Sequence, residues 1–418
     1  QVGGGERIPA QQPQFSPDGR WLSFVEGNGE WERLVLLDLN TGQKRTLVDG
    51  DGFALAQAAW GQGGQDYGWS SDSRRLFGLR FRGGFTSLWA VDVETGAERQ
   101  IDTAPYTAIW TMTVSPVCDE VVFAGSAPSV PARLVRWNGS ELTVEAYCTT
   151  ESIPADTLPD VREITWNAPD GTLVSAMYYA PKNGSYTSSG LPPALVQIHG
   201  GPTSTASAAF SLGIAYFTSR GYAYVDVNYR GSTYFGRSYQ DKLLGAWGLV
   251  DTEDAAGAAR ALAEQGLADP KRLVIIGGSA GGYTVYNALI RYPGLFKAGV
   301  SLYGVSNLFT LTVDTHKFEE RYTISLVGDL PEMAERYREW SPVFHADQIR
   351  DPVAVFQGAD DPVVVPAQSE TIVQALRVRG IPHIYKVYPG EGHGFRKTET
   401  VVDYLKTLET FLLENVLF

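Results

Sequence analysis

The chain has 418 residues, of which 44% are hydrophobic and 12% are aromatic. This length and composition exclude a disordered protein and exceed what one core normally needs, so we expect two domains. The formal net charge is −13, with 34 Lys and Arg residues against 47 Asp and Glu residues. No basic block is present to neutralise phosphates, which argues against a nucleic-acid or anionic-membrane partner.

The amino-terminal stretch QVGGGERIPA lacks the basic start and apolar run of a secretory signal. No apolar run approaches the roughly 18 residues that span a bilayer. We therefore expect a cytoplasmic protein, unless a signal was removed before residue 1. The two cysteines, Cys118 and Cys148, are too few for a disulfide framework or a cysteine zinc site. Either they form one bond or they are unpaired buried thiols, and we favour the second.

The first 150 residues contain a repeat. The sequence FSPDGRWLSFV from Phe15 is echoed by WSSDSRRLFGLR from Trp69 and more faintly by VSPVCDEVVFAGS from Val114. Each copy combines a turn, two strands, a tight turn at NTG, ETG or NGS, and a further strand. Repeats of about 45 to 55 residues made of short antiparallel strands are typical of β-propeller blades. We predict an all-β, propeller-like domain over residues 1–158, with a β-sandwich as the alternative.

Three repeats are few, because propellers typically have four to eight blades. Either a fourth blade is assembled from residues 1–14 together with the segment VREITWNAPDG, or the chain is a shortened version of something larger.

Beyond residue 159 the pattern changes to short apolar runs that alternate with amphipathic stretches. The runs are ALVQIHGG, YAYVDVNYR, RLVIIGGS, AGVSLYG, PVAVFQGAD and HIYKVYPG. Continuous apolar strands alternating with helices predict a mostly parallel sheet with helices on both faces. We therefore predict an α/β domain over residues 159–418, with its site at the carboxyl ends of the strands.

Ser279 lies in the G-x-S-x-G sequence GGSAG, directly after the predicted strand RLVII and before the predicted helix YTVYNALIRY. In α/β hydrolases such a strand, tight turn and helix expose a nucleophilic serine. Glycines on both sides of the serine avoid clashes in the turn, and Gly282 allows the helix to approach the sheet.

A nucleophilic serine requires a histidine base and an orienting carboxylate, which follow later in the chain in the order Ser, Asp, His. Of five histidines, His393 lies in the glycine-flanked loop YPGEGHGF after the last strand. His316, His345 and His383 are better explained as surface or locally bonded residues. The loop ADDP offers two carboxylates, of which we prefer Asp361 over Asp360.

The oxyanion of acyl transfer needs backbone donors. We assign the N–H of Ala280 and, from the sequence IHGGP, the N–H of Gly201. His199 either adds a side-chain donor or braces this loop. No zinc, cysteine or dinucleotide motif is present, and Asp251 and Asp254 are better explained as the start of a helix, so we predict no metal and no cofactor.

The segments IHGGP, VDVNYRGSTYFGRSY, WGLVDTEDAAGAARAL, GGSAGGY, FQGADDPVVVP and GEGHGF, in this order and after propeller-like repeats, resemble the prolyl oligopeptidase family of serine peptidases. The resemblance is to the acylaminoacyl-peptidase and dipeptidyl-aminopeptidase branch. It implies an α/β-hydrolase catalytic domain preceded by a propeller that admits short peptides, and it assigns the triad to Ser279, Asp361 and His393. It also implies an apolar substrate pocket at Tyr283, Val305 and Leu308, although an ordinary core role suits these three residues equally well.

Two departures from the family leave the peptidase subtype open. Some members carry an arginine two residues after the triad aspartate, where this chain has Val363. The acidic pair that holds a free amino terminus in dipeptidyl peptidases has no evident match in the amino-terminal region.

The resemblance favours hydrolysis of short peptides. The alternatives are a carboxylesterase with the same triad and a catalytically silent propeller binding protein. A homo-oligomer is a further hypothesis.

Overall fold

The computed structural model describes residues 2–6, 8–57, 63–314 and 319–418. The chain divides into two compact units. Unit 1 contains the residues up to Ala155 together with Ser207–Ser211 and Thr233–Tyr239, and unit 2 contains the remainder. The domain boundary after residue 158 stays a prediction.

In its described residues, unit 1 is built from three four-stranded antiparallel sheets of consecutive strands. The sheets are β1 (Ala10–Phe15), β2 (Trp21–Gly27), β3 (Glu32–Asp38) and β4 (Lys44–Asp49); β5 (Tyr67–Trp69), β6 (Arg75–Arg82), β7 (Phe85–Asp92) and β8 (Glu98–Ile101); and β9 (Ala108–Val114), β10 (Val121–Ala127), β11 (Val130–Trp137) and β12 (Leu142–Tyr147).

The repeat in the sequence reflects shared turn chemistry in the first two sheets. Ser16 and Ser70 each accept, through Oγ, the N–H of the residue five positions later at 2.9 Å. Asp38 and Asp92 accept, through Oδ1, backbone N–H groups of the NTG and ETG turns. Side chains that bond to nearby backbone in this way favour turns, which explains why these residues recur.

Two segments from later in the sequence complete unit 1. Ser238 Oγ donates to Glu30 Oε1 at 2.7 Å, and the ring of Tyr234 stacks on Phe81 with centroids 4.9 Å apart. The segment Ser207–Ser211 forms hydrogen bonds with the β6–β7 turn and with the third sheet. The all-β unit is therefore not one continuous stretch of sequence.

Of the two alternatives for the blade number, a fourth blade assembled from residues 1–14 and VREITWNAPDG is not formed. Residues 10–15 form β1, which pairs with β2 inside the first sheet. The segment VREITWN forms β13 (Val161–Asn167), which pairs with β14 (Leu173–Tyr179) in unit 2. Both pieces are thus used elsewhere, because each pairs with the strand that follows it.

The expectation of buried thiols is also wrong. Cys118 and Cys148 are unpaired, as we favoured, but both side chains are exposed. Cys118 lies in the β9–β10 turn and Cys148 directly follows β12, so neither faces a sheet interior.

Unit 2 contains an eight-stranded sheet in the order β13-β14-β16-β15-β17-β18-β19-β20. The β13–β14 hairpin joins it antiparallel, and the strands from β16 onward in this order pair in parallel. The parallel strands are β15 (Ala194–Ile198), β16 (Ala223–Asn228), β17 (Leu273–Gly278), β18 (Ala298–Leu302), β19 (Val353–Gly358) and β20 (His383–Tyr388).

Helices connect these strands, as the alternation in the sequence predicts. They are α1 (Leu212–Thr218), α2 (Arg237–Gln240), α3 (Val250–Glu264), α4 (Ala280–Arg291), α5 (Leu308–Asp314), α6 (Tyr322–Val327), α7 (Ala334–Trp340), α8 (Pro366–Val378) and α9 (Thr398–Leu412). None of the helices in the described ranges is long and apolar enough to cross a membrane. The predicted fold class, an α/β hydrolase preceded by a propeller-like β domain, is confirmed.

Both faces of the parallel sheet are covered, which explains its continuous apolar strands. Val196, Ile275 and Val355 are fully buried in the cluster that includes residues of α3, α4 and α8. On β19, Phe356 packs edge-on against Tyr404 of α9 with ring centroids 4.9 Å apart. This packing fixes the strands, and their carboxyl ends carry the loops of the site.

Candidate active site

Ser279 occupies the turn between β17 and α4 with φ 57° and ψ −121°, a left-handed backbone that serine rarely adopts. The turn is held by hydrogen bonds from Ser279 N–H to Leu302 O at 2.9 Å and from Tyr283 N–H to Ser279 O at 3.1 Å. Strain of this kind concentrates at functional sites. The turn presents the side chain of Ser279 at the carboxyl edge of the sheet.

The glycines of this turn allow neighbouring backbone segments to approach one another closely. A Cβ on Gly277 would lie 2.5 Å from the carbonyl of Gly281, and a Cβ on Gly281 would overlap the carbonyl oxygen of Ile198. Both obstacles are backbone atoms and cannot rotate away. The sequence GGSAG therefore lets the turn, the helix and β15 pack against one another.

The structure brings Ser279, His393 and Asp361 into one hydrogen-bonded group. His393 Nε2 lies 2.9 Å from Ser279 Oγ, and His393 Nδ1 lies 2.8 Å from Asp361 Oδ2. Because the Asp361 carboxylate only accepts, Nδ1 carries the proton and the Nε2 of a neutral imidazole accepts from the serine hydroxyl. We call these three residues the Ser–His–Asp group.

The Asp361 carboxylate is fixed from both sides. Its Oδ1 accepts the N–H groups of Val363 and Val364, each at 2.9 Å. Burial opposes ionisation, but the hydrogen bond from His393 and those two backbone donors outweigh burial and hold the pKa of Asp361 below its usual range. Asp361 is therefore ionised and buried, whereas Asp360 is exposed.

Two residues that sequence reasoning missed hold His393 in place. The buried Glu391 accepts the N–H groups of Arg396 at 3.0 Å and Lys397 at 2.9 Å, which closes the loop around the histidine. The ring of Tyr303 packs beside the imidazole with centroids 4.7 Å apart, and Tyr303 has φ 41°. No local pattern marks either residue, because the contacts come from the folding of separate segments.

The predicted oxyanion loop lies beside the serine. A Cβ on Gly200 would be 3.5 Å from Ser279 Cβ, and Gly201 and Ala280 border the same cavity as Ser279. Roles for the N–H groups of Gly201 and Ala280 stay predictions.

The suggestion that His199 adds a side-chain donor is wrong. Nδ1 of His199 donates to Gly200 O at 2.9 Å, and Nε2 accepts from Ser232 Oγ at 2.7 Å. Burial lowers the pKa of His199 to about 4, so the ring is neutral and its one N–H is already used. The ring also stacks on Tyr229 with centroids 4.2 Å apart, which makes His199 a brace for the loop.

A cavity of about 540 Å³ opens onto Ser279 and His393. Of the three predicted pocket residues, Val305 borders this cavity. Tyr283 and Leu308 do not, because both are fully buried in the core; the hydroxyl of Tyr283 donates to Trp340 O at 2.9 Å.

The cavity wall is mainly uncharged. It includes Val363, which the sequence marked as a departure from the family, and five residues that the sequence did not single out, namely Trp247, Leu311, Glu319, Tyr322 and Leu326. These residues come from the segment before α3, from α5, from α6 and the turn just before it, and from the loop that carries Asp361. The apolar members give this cavity the character of a pocket for an apolar side chain.

The remaining histidines and Asp251 do not border the cavity in the described part of the chain. His345 and His383 lie outside the cavity wall, and His316 is outside the described residues. Asp251 lies in the first turn of α3, where its carboxylate accepts Gly248 N–H and Thr284 Oγ–H, each at 2.6 Å. Within the described ranges, no group of three or more His, Cys, Asp or Glu side chains is arranged to hold a metal ion.

The sequence matches the prolyl oligopeptidase family (Peptidase_S9) over residues 208–417, half of the chain. The chain belongs to the prolyl oligopeptidase family. The predicted resemblance is thereby confirmed.

Individual relatives lie in the same family branch that the sequence indicated. The chain is 33% identical over 283 residues to dipeptidyl peptidase family member 6 of Caenorhabditis elegans, covering 65% of this chain and 36% of that protein. It is 30% identical over 227 residues to an acylamino-acid-releasing enzyme of Arabidopsis thaliana, covering 53% of this chain and 29% of that protein.

Among solved structures, a puromycin-hydrolyzing peptidase of Mycobacterium tuberculosis superposes with a TM-score of 0.92 at 36% identity. The match covers 99% of this chain and 63% of that one. The chain therefore spans about a third of the length of these two curated relatives. It spans less than two thirds of the length of the structural neighbour.

Proposed function

We propose that the chain is a serine peptidase that hydrolyses short peptides through an acyl-enzyme on Ser279. It would release acyl-aminoacyl or dipeptidyl units next to an apolar residue. The observation that carries this proposal is the hydrogen-bonded Ser–His–Asp group on a strained turn, with contacts of 2.9 and 2.8 Å. Family membership and the apolar residues in the wall of the cavity beside Ser279 support it.

In the first half of the reaction, His393 Nε2 takes the proton of Ser279 as Oγ attacks the substrate carbonyl. Asp361 keeps the imidazole in the required tautomer and stabilises its charged form. The N–H groups of Ala280 and Gly201 donate to the developing oxyanion. Collapse of the tetrahedral intermediate breaks the C–N bond, and the proton on Nε2 passes to the leaving amine.

In the second half, water replaces the amine. His393 removes a proton from water as its oxygen attacks the acyl carbonyl, and the same proton returns to Ser279 Oγ as the ester bond breaks. The products are a carboxylic acid and the free enzyme. No cofactor takes part in this scheme.

The test compares wild type with Ser279→Ala on p-nitroanilides that have an apolar residue before the cleaved amide bond. We expect amide cleavage and labelling by a fluorophosphonate probe in wild type, and neither in Ser279→Ala. Cleavage of esters without any amide cleavage would favour the carboxylesterase alternative. Absence of labelling in folded protein would favour the silent binding protein.

A second candidate is hydrolysis of aminoacyl amides such as puromycin. The structural match to a puromycin-hydrolyzing peptidase covers nearly the whole of this chain, which favours it. Puromycin has a free amino group and an aromatic side chain, and the apolar residues in the cavity wall beside Ser279 suit such a side chain. Release of the aminonucleoside, measured by chromatography and lost in Ser279→Ala, would support this candidate.

Cytoplasmic location and homo-oligomer formation stay predictions from the sequence. Sedimentation of the purified chain as a clean monomer would reject the second.

A further inference from the structure

Tyr303 borders the cavity beside Ser279 and carries a hydroxyl group that the fold itself does not use. The side chain is half-buried, and its Oη has no hydrogen-bond partner among the described residues. Burial, together with the negative charge of Asp361, raises the pKa of Tyr303, so the phenol keeps its proton and can donate. Most buried polar groups in folded proteins are hydrogen-bonded, so an unpaired donor beside the nucleophile is suited to bind a ligand.

The ring of Tyr303 is held in place by its neighbours. Its backbone has φ 41°, a conformation that a large side chain rarely adopts, and its N–H donates to Phe356 O at 2.7 Å. The ring lies beside the imidazole of His393, with centroids 4.7 Å apart, and edge-on to Phe395, with centroids 5.6 Å apart. A donor that is fixed by its surroundings loses little freedom when a substrate binds.

The sheet topology places Tyr303 on the leaving-group side of Ser279. Strands β15 and β18 flank β17 on opposite sides. The predicted oxyanion loop with Gly201 follows β15, whereas Tyr303 directly follows β18. A Cβ on Gly278, the residue before Ser279, would lie 3.3 Å from Tyr303 Oη. Because His393 packs against Tyr303 and passes its proton to the leaving amine, the leaving half of a substrate lies on this side.

We propose that the Tyr303 hydroxyl binds the leaving segment of the substrate by donating a hydrogen bond to its first carbonyl oxygen. This inference rests on the proposed acyl-enzyme at Ser279 and adds a preference among leaving groups. In a peptide, that oxygen belongs to the residue whose nitrogen is released. A p-nitroanilide or a simple alkylamide has no carbonyl in this place. The enzyme therefore favours leaving groups that are amino acids or peptides over amines of similar size without the carbonyl.

The test measures how the acyl-enzyme partitions between an added amine and water. A methyl ester of Ala-Phe or acetyl-Phe, whichever wild type cleaves faster, forms the acyl-enzyme in the presence of alaninamide or isopropylamine. The amine nitrogen replaces Ser279 Oγ on the acyl carbon, and His393 moves the proton from the amine to Oγ. Isopropylamine has a methyl group where alaninamide has its carboxamide. Chromatography gives the ratio of transfer product to free acid for each amine.

The variant Tyr303→Phe removes the hydroxyl and keeps the ring beside His393. We expect it to lower the ratio about threefold to tenfold for alaninamide, the effect of one hydrogen bond, and to leave the ratio for isopropylamine within about twofold of wild type. A disturbed imidazole would slow attack by either amine and by water alike, so a merely structural role does not produce this selectivity. The matched control is Tyr186→Phe, which removes an exposed hydroxyl away from the cavity and should leave both ratios unchanged.

Hydrolysis should show the same selectivity. With one acyl group throughout, Tyr303→Phe should lower kcat/KM about threefold to tenfold when alaninamide is the leaving group and change it by less than about twofold when p-nitroaniline is. Equal changes for the two leaving groups, or equal changes for the two amines in the transfer assay, would overturn the proposal. So would the absence of any change.

The transfer assay also separates this proposal from the peptidase function. If wild type transfers the acyl group from the ester but cleaves no amide, the peptidase function fails, and a selective loss with alaninamide in Tyr303→Phe still supports the binding role. If amides are cleaved and Tyr303→Phe leaves the alaninamide ratio unchanged, the peptidase function stands and the role of Tyr303 is rejected. If no ester acylates Ser279, both are rejected.

Discussion

Asp360 and Asp361 are adjacent carboxylates with different environments. Asp361 is buried, accepts two backbone N–H groups and bonds to His393 at 2.8 Å. Asp360 is exposed, and its backbone N–H donates to Glu391 O at 2.9 Å. The pair therefore provides a variant and a matched control of identical chemistry one residue apart.

We expect Asp361→Asn to lower kcat/KM on a p-nitroanilide by about 10³- to 10⁴-fold, because an amide no longer fixes the tautomer of His393 or stabilises its charged form. Asp360→Asn should remain within about twofold of wild type. Steady-state kinetics and the rate of fluorophosphonate labelling of Ser279 measure both. Similar losses in the two variants would contradict the assignment of Asp361.

Individual site residues could be predicted from the sequence where the chemistry of the reaction and the order of residues along the chain restrict the choice. Ser279, Asp361 and His393 could be selected because each follows a predicted strand and the order is that of α/β hydrolases. Glu319 and Trp247 could not, because only the three-dimensional path of their segments brings them to the cavity. Tyr283 and Leu308 resembled pocket residues but complete the core instead.

The turn from β17 to α4 is the structural element on which the site depends most. Its backbone touches β15, since a Cβ on Gly281 would overlap the carbonyl oxygen of Ile198. Moving that carbonyl would displace the loop that follows β15, which contains Gly201. A single methyl group at Gly281 is therefore expected to disturb the nucleophile and the oxyanion loop together.

We expect Gly281→Ala to destabilise the fold by about 2–3 kcal/mol through overpacking and to abolish fluorophosphonate labelling of Ser279. Gly392→Ala is the control, since its added Cβ would meet its nearest atom, Asp360 O, at 3.8 Å, an ordinary contact. That control should change stability by less than about 0.5 kcal/mol. Chemical denaturation measures the stabilities, and retention of labelling in Gly281→Ala would refute the argument.

The strands and helices of unit 2 could be predicted from apolar runs that alternate with amphipathic stretches. Such continuous apolar runs occur because both faces of a parallel sheet are buried. Which strand pairs with which in unit 1 was harder. The segment VREITWN has the alternation of a blade strand, yet β13 pairs with β14 in the other sheet. Alternation indicates a half-buried strand but does not identify its partner.

We expect a carboxyl in the large sheet to make the stability of the whole molecule depend on pH. Asp226 lies in β16 between Met177 of β14 and Gln197 of β15, and its Oδ1 has no hydrogen-bond partner among the described residues. Burial raises the pKa of Asp226 to about 7. The folded state therefore binds a proton that the unfolded state has released, between about pH 4 and pH 7.

Because the folded state binds this extra proton, the free energy of unfolding decreases as the pH rises. The stabilisation of the protonated carboxyl is complete below the unfolded pKa of about 4 and is lost as the pH rises through about 7, at up to about 1.4 kcal/mol per pH unit. We expect wild type to lose about 2–3 kcal/mol relative to Asp226→Asn between pH 5 and pH 8. Urea denaturation at both pH values measures this, with the exposed Asp347→Asn as control. A constant difference between wild type and Asp226→Asn would contradict it.

The two later segments of unit 1, Ser207–Ser211 and Thr233–Tyr239, have a consequence for building chimaeras. A gene fusion that exchanges only residues 1–155 for those of a relative would make Tyr234 and Ser238 face whatever residues the relative carries in place of Phe81 and Glu30. The transferable cassette is therefore discontinuous and must carry three stretches of coding sequence. A recombination event that copied the first stretch alone would deliver foreign strands to segments selected for other neighbours, so these two short stretches should be inherited together with the sheets that they complete.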